Sequence, residues 1–248
     1  MSAHLRHHVV IPLSGEAMNT ERARWCIEHL APHAWGFKLH PAKIIRFQSE
    51  GYAVIREIKK AGCKIFVDLK GFDIPSEVAD MVRDLEKVGV DVITLHAAGG
   101  VKMLREATFA AKRVEIYGIT ILTSMKGNEA NTIFGKVRNA KILEFAKVAV
   151  EGGCHGTVSS ASDLALFADK GDLLYGVNGM MKRIIPGIRF ADAPVQNDDQ
   201  DRTMTPGEAF KAGATLEVIG RPILGASDPV AALGRANTEI WDIEGTYA

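Results

Sequence analysis

The sequence predicts an α/β chain closed into a single-domain (β/α)8 barrel of the TIM type, and three observations carry that expectation. Short runs rich in Val, Ile and Leu recur along the chain. Longer amphipathic segments of helical period fill the gaps between them, and no proline-rich or low-complexity linker divides the 248 residues. Eight such alternations in this length fit one barrel, with an open doubly wound sheet as the competing arrangement.

The eight candidate strands fall at residues 8–14, 34–40, 64–70, 91–97, 115–122, 156–160, 183–188 and 216–222. Helical patterns occupy residues 20–30 ("TERARWCIEHL"), 41–62, 75–89 ("PSEVADMVRDLEKVG"), 100–112, 140–153, 162–169, 205–214 ("TPGEAFKAGA") and 228–237. Several carry Pro, Ser or Asp at the start and Gly just past the end. Pro cannot donate from the first turn, where no partner is needed, and Gly accepts the left-handed backbone that ends a helix.

Composition bounds the class. Hydrophobic residues make up 47% and charged residues 24%, ordinary values for a globular chain with a sizeable core. Thirty Lys plus Arg balance thirty Asp plus Glu, which argues against a general affinity for nucleic acid or an anionic membrane but leaves room for a local anion site. Cys26, Cys63 and Cys154 are far apart and form no metal-ligand spacing, so neither a zinc site nor a disulfide framework is expected, and a reducing cytoplasm fits. The start, "MSAHLRHHVV", lacks the long apolar run of a leader or membrane span, and His4, His7 and His8 read as a frayed entry to the first strand rather than a metal tract.

The chemistry gathers at strand ends. In "KIFVDLKGFDIP" Asp68 and Lys70 stand two apart, so they share one face of the third strand, and Asp73 follows in the loop. Charges on the interior side of an apolar strand cost desolvation free energy unless they pair, so the cluster needs a reason. Lys38, in "WGFKLH", adds a second ammonium at the end of the neighbouring strand. Alternating carboxylates and ammoniums around one mouth couple their titrations and can keep a lysine charged as a proton donor.

At the other end of the chain, "IIPGIR" supplies Gly187 and Arg189, and "EVIGRPI" supplies Gly220 and Arg221. Barrel phosphate sites are commonly built after the last two strands, with glycine admitting the anion to backbone N–H groups and arginine offering a fork. The polar stretch 190–206 between them reads as a lid, with Gln200 and Arg202 as contacts. Thr123 and Ser124 end the fifth strand and could hydrogen-bond a polar ring edge; His96, ending the fourth, reads as structural.

These residues resemble a known family. "DLKGFDIP" is similar to the D-x-K-x-x-D-I-P signature of orotidine 5'-phosphate decarboxylases, and "LHAAGG", "LTSM", "PGIR", "DDQDRTMTP" and "IGRPI" resemble further blocks of the bacterial forms, in order, over nearly the whole chain. The resemblance implies cofactor-free, metal-free decarboxylation of orotidine 5'-monophosphate. Lys70 would protonate the pyrimidine, Asp68 would face the substrate carboxylate and Lys38 would join the ribose hydroxyls to the network. It also implies a homodimer in which Asp73 enters the partner's site. Arg189, Gln200, Gly220 and Arg221 match the phosphate and lid positions, and Thr123 a position near the pyrimidine. Two residues depart from the pattern: Ser14 stands where a ribose-binding aspartate is usual, and Glu77 where threonine is common after D-I-P. Both keep open a sister enzyme, a Mg²⁺-dependent sugar-phosphate decarboxylase or synthase sharing the D-x-K-x-x-D element. A nucleotide-binding chain without turnover is the third reading, and Lys38, Asp68, Lys70 and Asp73 together weigh against it.

Overall fold

The computed structural model describes residues 7–15, 18–46, 51–125, 127–168, 170, 174–177, 179–192 and 203–247. Strands β1 (Val9–Pro12), β2 (Gly36–Leu39), β3 (Lys64–Gly71), β4 (Val92–His96), β5 (Glu115–Ile119) and β6 (Gly156–Val158) alternate with helices. A small antiparallel hairpin, β7 (Tyr175–Gly176) and β8 (Gly179–Met180), then precedes β9 (Lys182–Pro186) and β10 (Leu216–Val218). All strands but the hairpin pair in parallel, in the order β1-β10-β9-β6-β5-β4-β3-β2, and β1 also pairs with β2 to close the barrel.

Period-two alternation sorts every strand into two layers. Val10, Phe66, Val92, Tyr117, Ile184, Leu216 and Val218 form one cluster inside the barrel. Their strand neighbours Val9, Ile11, Ile65, Val67, Ile93 and Ile185, with Phe37 of β2, belong to the larger core under the helices. Each such side chain, fully buried, stabilises the fold by about 1.5–3 kcal/mol relative to exposure. Gly36 opens β2 because a Cβ there would run into the Lys64 backbone carbonyl.

The helices follow their sequence punctuation. Helix α1 (Thr20–Leu30) is capped by Asn19, whose side chain accepts the Arg22 N–H at 2.8 Å, and buries Ala23, Cys26, Ile27 and Leu30 on one helical stripe. The 41–62 pattern gives two helices, α2 (Pro41–Arg46) and α3 (Gly51–Lys60). Next come α4 (Pro75–Lys87), α5 (Gly100–Ala110), α6 (Gly127–Phe134) and α7 (Arg138–Glu151). Helix α8 (Pro206–Lys211) starts on a reciprocal capping box between Thr205 and Glu208, and α9 (Arg221–Leu224) and α10 (Pro229–Tyr247) complete the set.

Several expected boundaries need correction. Residues 162–169 were expected as an α-helix, but Ala161–Phe167 is a 3₁₀ helix, entered through a capping box between Ser160 and Asp163. Helix α6 and the β7–β8 hairpin carry no counterpart in the sequence expectation. The last strand ends at Val218 rather than running through 222, because the chain turns at Gly220 into α9 with Pro222 in its first turn. The final helix runs ten residues past Asn237, to Tyr247. Asn237 ends nothing: its side-chain Nδ2 donates to the His33 carbonyl at 2.8 Å.

Glu217 breaks the apolar rule of the outer layer. It faces the helices from the middle of β10, fully buried, and neither carboxylate oxygen has a hydrogen-bond partner among the described residues. Burial, reinforced by the charge of Glu239 on α10, pushes its carboxyl well above the ordinary 4.5. The unfolded chain therefore releases this proton at lower pH than the folded one, and stability falls as pH rises above about 4.5. Glu217→Gln should remove that slope and raise stability at pH 8 by about 1–3 kcal/mol, with little gain at pH 4. Urea unfolding at the two pH values measures the difference, and equal effects at both would contradict it.

Candidate active site

The inner face of three adjacent strands changes from apolar to polar at its C-terminal end. On β3 the inner positions run Phe66, Asp68, Lys70; on β4 they run Val92, Thr94, His96; β2 contributes Lys38. Asp68 is the centre, only 8% exposed. Its Oδ2 accepts from both ammoniums, Lys38 Nζ at 2.7 Å and Lys70 Nζ at 2.5 Å. Its Oδ1 accepts the Thr94 hydroxyl at 3.0 Å. Burial opposes ionisation of this carboxyl, but the Lys38 charge and then the Lys70 charge outweigh it and hold its pKa at about 2, so it is a carboxylate at neutral pH.

Two histidines edge the same cluster. His96 ends β4, and burial, then the Lys70 charge, lowers its pKa. His40, just beyond β2, is lowered by burial and then by Lys70 as well. Both imidazoles are thus biased toward the neutral form. The backbone is also unusual here. Among the described residues Lys70 is the single non-glycine with positive φ, 52°, and the β3–β4 register shifts between Val67 and Gly71.

The other expected residues distribute as follows. Asp73 is exposed in the loop after β3, and its Oδ1 accepts the Ile74 N–H at 2.7 Å, so it turns toward its own backbone and not toward Asp68 or Lys70. The large apolar side chains on either side of it, Phe72 and Ile74, are 65% and 59% exposed. Ser14 is exposed two residues past β1. Thr123 is half-buried in a turn beyond β5, which ends at Ile119 and not at 122.

Arg189 is buried after β9, donating from its guanidinium to the Ile188 carbonyl at 2.8 Å, and Gly187 before it adopts φ 83°, a conformation glycine supplies without strain. Gly220 and the exposed Arg221 follow β10, the strand paired with β9, so the two Gly/Arg loops open on the same mouth. Gln200 and Arg202 lie outside the described residues. Glu77 sits exposed in the first turn of α4, where a carboxylate is favoured by the helix dipole.

Thr94 and His40 were missed at the sequence level. For Thr94 the signal was present: in "VITLH" it precedes His96 by two, which puts both on the face that meets Asp68.

A barrel with a buried carboxylate clamped by two ammoniums at the C-terminal mouth, beside paired Gly/Arg loops, defines a (β/α)8 enzyme with an ionic active site. The chain belongs to the orotidine 5'-phosphate decarboxylase / HUMPS family, whose model matches residues 16–236. A relative named orotidine 5'-phosphate decarboxylase, a carboxy-lyase, from Wolbachia pipientis is 40% identical over 189 residues, covering 75% of this chain and 79% of that protein. One of the same name from Moorella thermoacetica is 34% identical over 225 residues, 86% and 85% of the two chains. The crystal structure of orotidine 5'-phosphate decarboxylase from Lactobacillus acidophilus superposes with a TM-score of 0.76 at 26% identity, covering 95% of this chain and 99% of that one.

Proposed function

We propose that the chain decarboxylates orotidine 5'-monophosphate to UMP, without metal or cofactor, in the synthesis of pyrimidine nucleotides. The observation that carries the reading is the Lys38–Asp68–Lys70 array on the inner face of the mouth. The bond between C6 and the carboxylate breaks, carbon dioxide leaves, and the electron pair stays on C6. Lys70 Nζ gives its proton to that carbon and recovers one from solvent. An ammonium beside a developing carbanion is favoured more in the transition state than in the ground state, and only that difference accelerates the step. Asp68 stands against the substrate carboxylate, an unfavourable contact relieved as carbon dioxide departs. Lys38 holds Asp68 and reaches the ribose hydroxyls, near which Ser14 replaces the usual aspartate.

Arg189, Gln200, Gly220 and Arg221 take the phosphate, and Thr123 the pyrimidine edge. Binding energy from the phosphate, remote from the reacting carbon, orients the ring. The reading includes a cytoplasmic homodimer in which Asp73 serves the partner's site. What supports it is the exposure of Phe72 and Ile74 around an Asp73 that makes no ion pair among the described residues. Among the described residues no helix is long and apolar enough to cross a membrane.

Loss of pyrimidine absorbance when purified protein meets orotidine 5'-monophosphate tests the reading, with UMP and carbon dioxide as the products. A rate no higher than that of Lys70→Ala would end it. A second reading has a specific source: the family also takes in HUMPS enzymes, and Ser14 removes a carboxylate from the ribose position. That reading predicts a Mg²⁺-dependent reaction on a sugar phosphate. We expect turnover of orotidine 5'-monophosphate to stay within about twofold in excess EDTA; abolition by EDTA and restoration by Mg²⁺ would favour the sister chemistry.

A further inference from the structure

We infer that Thr94 is a positioning residue, whose single hydroxyl fixes the orientation of the Asp68 carboxylate and the backbone turn of Lys70 together. The inference rests on the roles proposed above for Lys70 and Asp68. Thr94 Oγ1 donates to Asp68 Oδ1 at 3.0 Å and accepts the Lys70 backbone N–H at 3.0 Å. Thr94 is fully buried on the inner face of β4, so water has no access from which to replace either bond.

The geometry gives the two bonds a joint purpose. Asp68 divides its oxygens: Oδ2 takes both ammoniums, and Oδ1 takes only the hydroxyl among the hydrogen bonds that reach it from described residues. Rotating the carboxylate away from Lys70 therefore breaks the Thr94 bond as well. The second bond lands where the β3–β4 register shifts and where Lys70 adopts its left-handed φ of 52°. A lysine there is strained unless its surroundings over-determine the conformation. The hydroxyl ties the strained backbone to the carboxylate that the same residue's ammonium must meet. Valine has the shape of threonine without either hydrogen-bonding capacity, and would leave Oδ1 and the Lys70 N–H without this partner.

The test compares Thr94→Val, Thr94→Ser and Lys70→Ala with the parent, reading kcat on orotidine 5'-monophosphate, UMP affinity by calorimetry, and thermal stability. Thr94→Val should lower kcat by about 100-fold, the cost typical of an ångström-scale misplacement of catalytic groups. UMP lacks the carboxylate that faces Asp68, so its affinity should hold within about threefold, and Thr94→Ser should recover most of kcat. Thr94→Ala takes the place of valine if the latter impairs folding. Unchanged kcat in the hydroxyl-less variant overturns the inference, as does a deficit that serine leaves uncorrected or one matched by an equal loss of UMP affinity. If the parent turns over orotidine 5'-monophosphate no faster than an inactive Lys70→Ala, the proposed function fails; if the parent and Thr94→Val are equally active and Lys70→Ala is inactive, only the role of Thr94 does.

Discussion

Lys70→Ala should reduce turnover of orotidine 5'-monophosphate by at least about 10⁴-fold, because in the proposed mechanism one side chain supplies both the proton and the adjacent positive charge. General acid catalysis contributes on the order of 10²–10⁴ and one electrostatic donor on the order of 10²–10³, and here both leave together. The fold should tolerate the change. Asp68 keeps Lys38 at 2.7 Å and the Thr94 hydroxyl at 3.0 Å, so no buried carboxylate is stranded. UMP lacks the carboxylate that leaves in the reaction, so its affinity should change little while kcat collapses. That separation, measured as kcat against UMP dissociation constant, distinguishes loss of chemistry from loss of binding. A variant retaining more than about a tenth of parental kcat would assign the proton to another group.

Asp73→Ala should be nearly as damaging, by about 10²–10³-fold, and its defect should be repairable by a second inactive chain. Asp73 is exposed and hydrogen-bonded to its own loop, with Phe72 and Ile74 presenting apolar surface on both sides. If two-fold pairing brings this loop into the partner's mouth, each site joins Lys70 of one chain to Asp73 of the other. A heterodimer of Asp73→Ala and Lys70→Ala then contains one doubly altered site and one intact site. Unfolding the two variants together and refolding at equal amounts yields about half heterodimers by random pairing, hence about a quarter of parental activity. Activity no higher than that of the separately refolded variants would place Asp73 in its own chain's site or outside catalysis.

All eight barrel strands were legible in sequence, because each is an apolar run short enough to be a strand and followed by a helical pattern. Their ends were not. How far a barrel strand extends depends on where its neighbour's register stops: β1 ends at Pro12, opposite Lys38, and β5 at Ile119, opposite Val158. The pairing of Asp68 with Lys70 was readable from a spacing of two, and Lys38 from its place at the next strand's end. The slip in register at Lys70 was not, since no Gly or Asn marks the left-handed residue, and the hydroxyl that holds it belongs to another strand. Thr94 looked like an ordinary strand threonine. Helix α6 was hidden because its eight residues, "GNEANTIF", include glycine and two asparagines, which read as loop in isolation.

The left-handed backbone of Lys70 sets two pressures on one position against each other. Glycine would occupy φ 52° without strain, and the strand would fold more easily around it. Drift toward a more stable chain therefore points at the residue on which the proposed chemistry depends most. Descendants of this sequence released from their reaction should lose Lys70 early, and the change itself would help them persist.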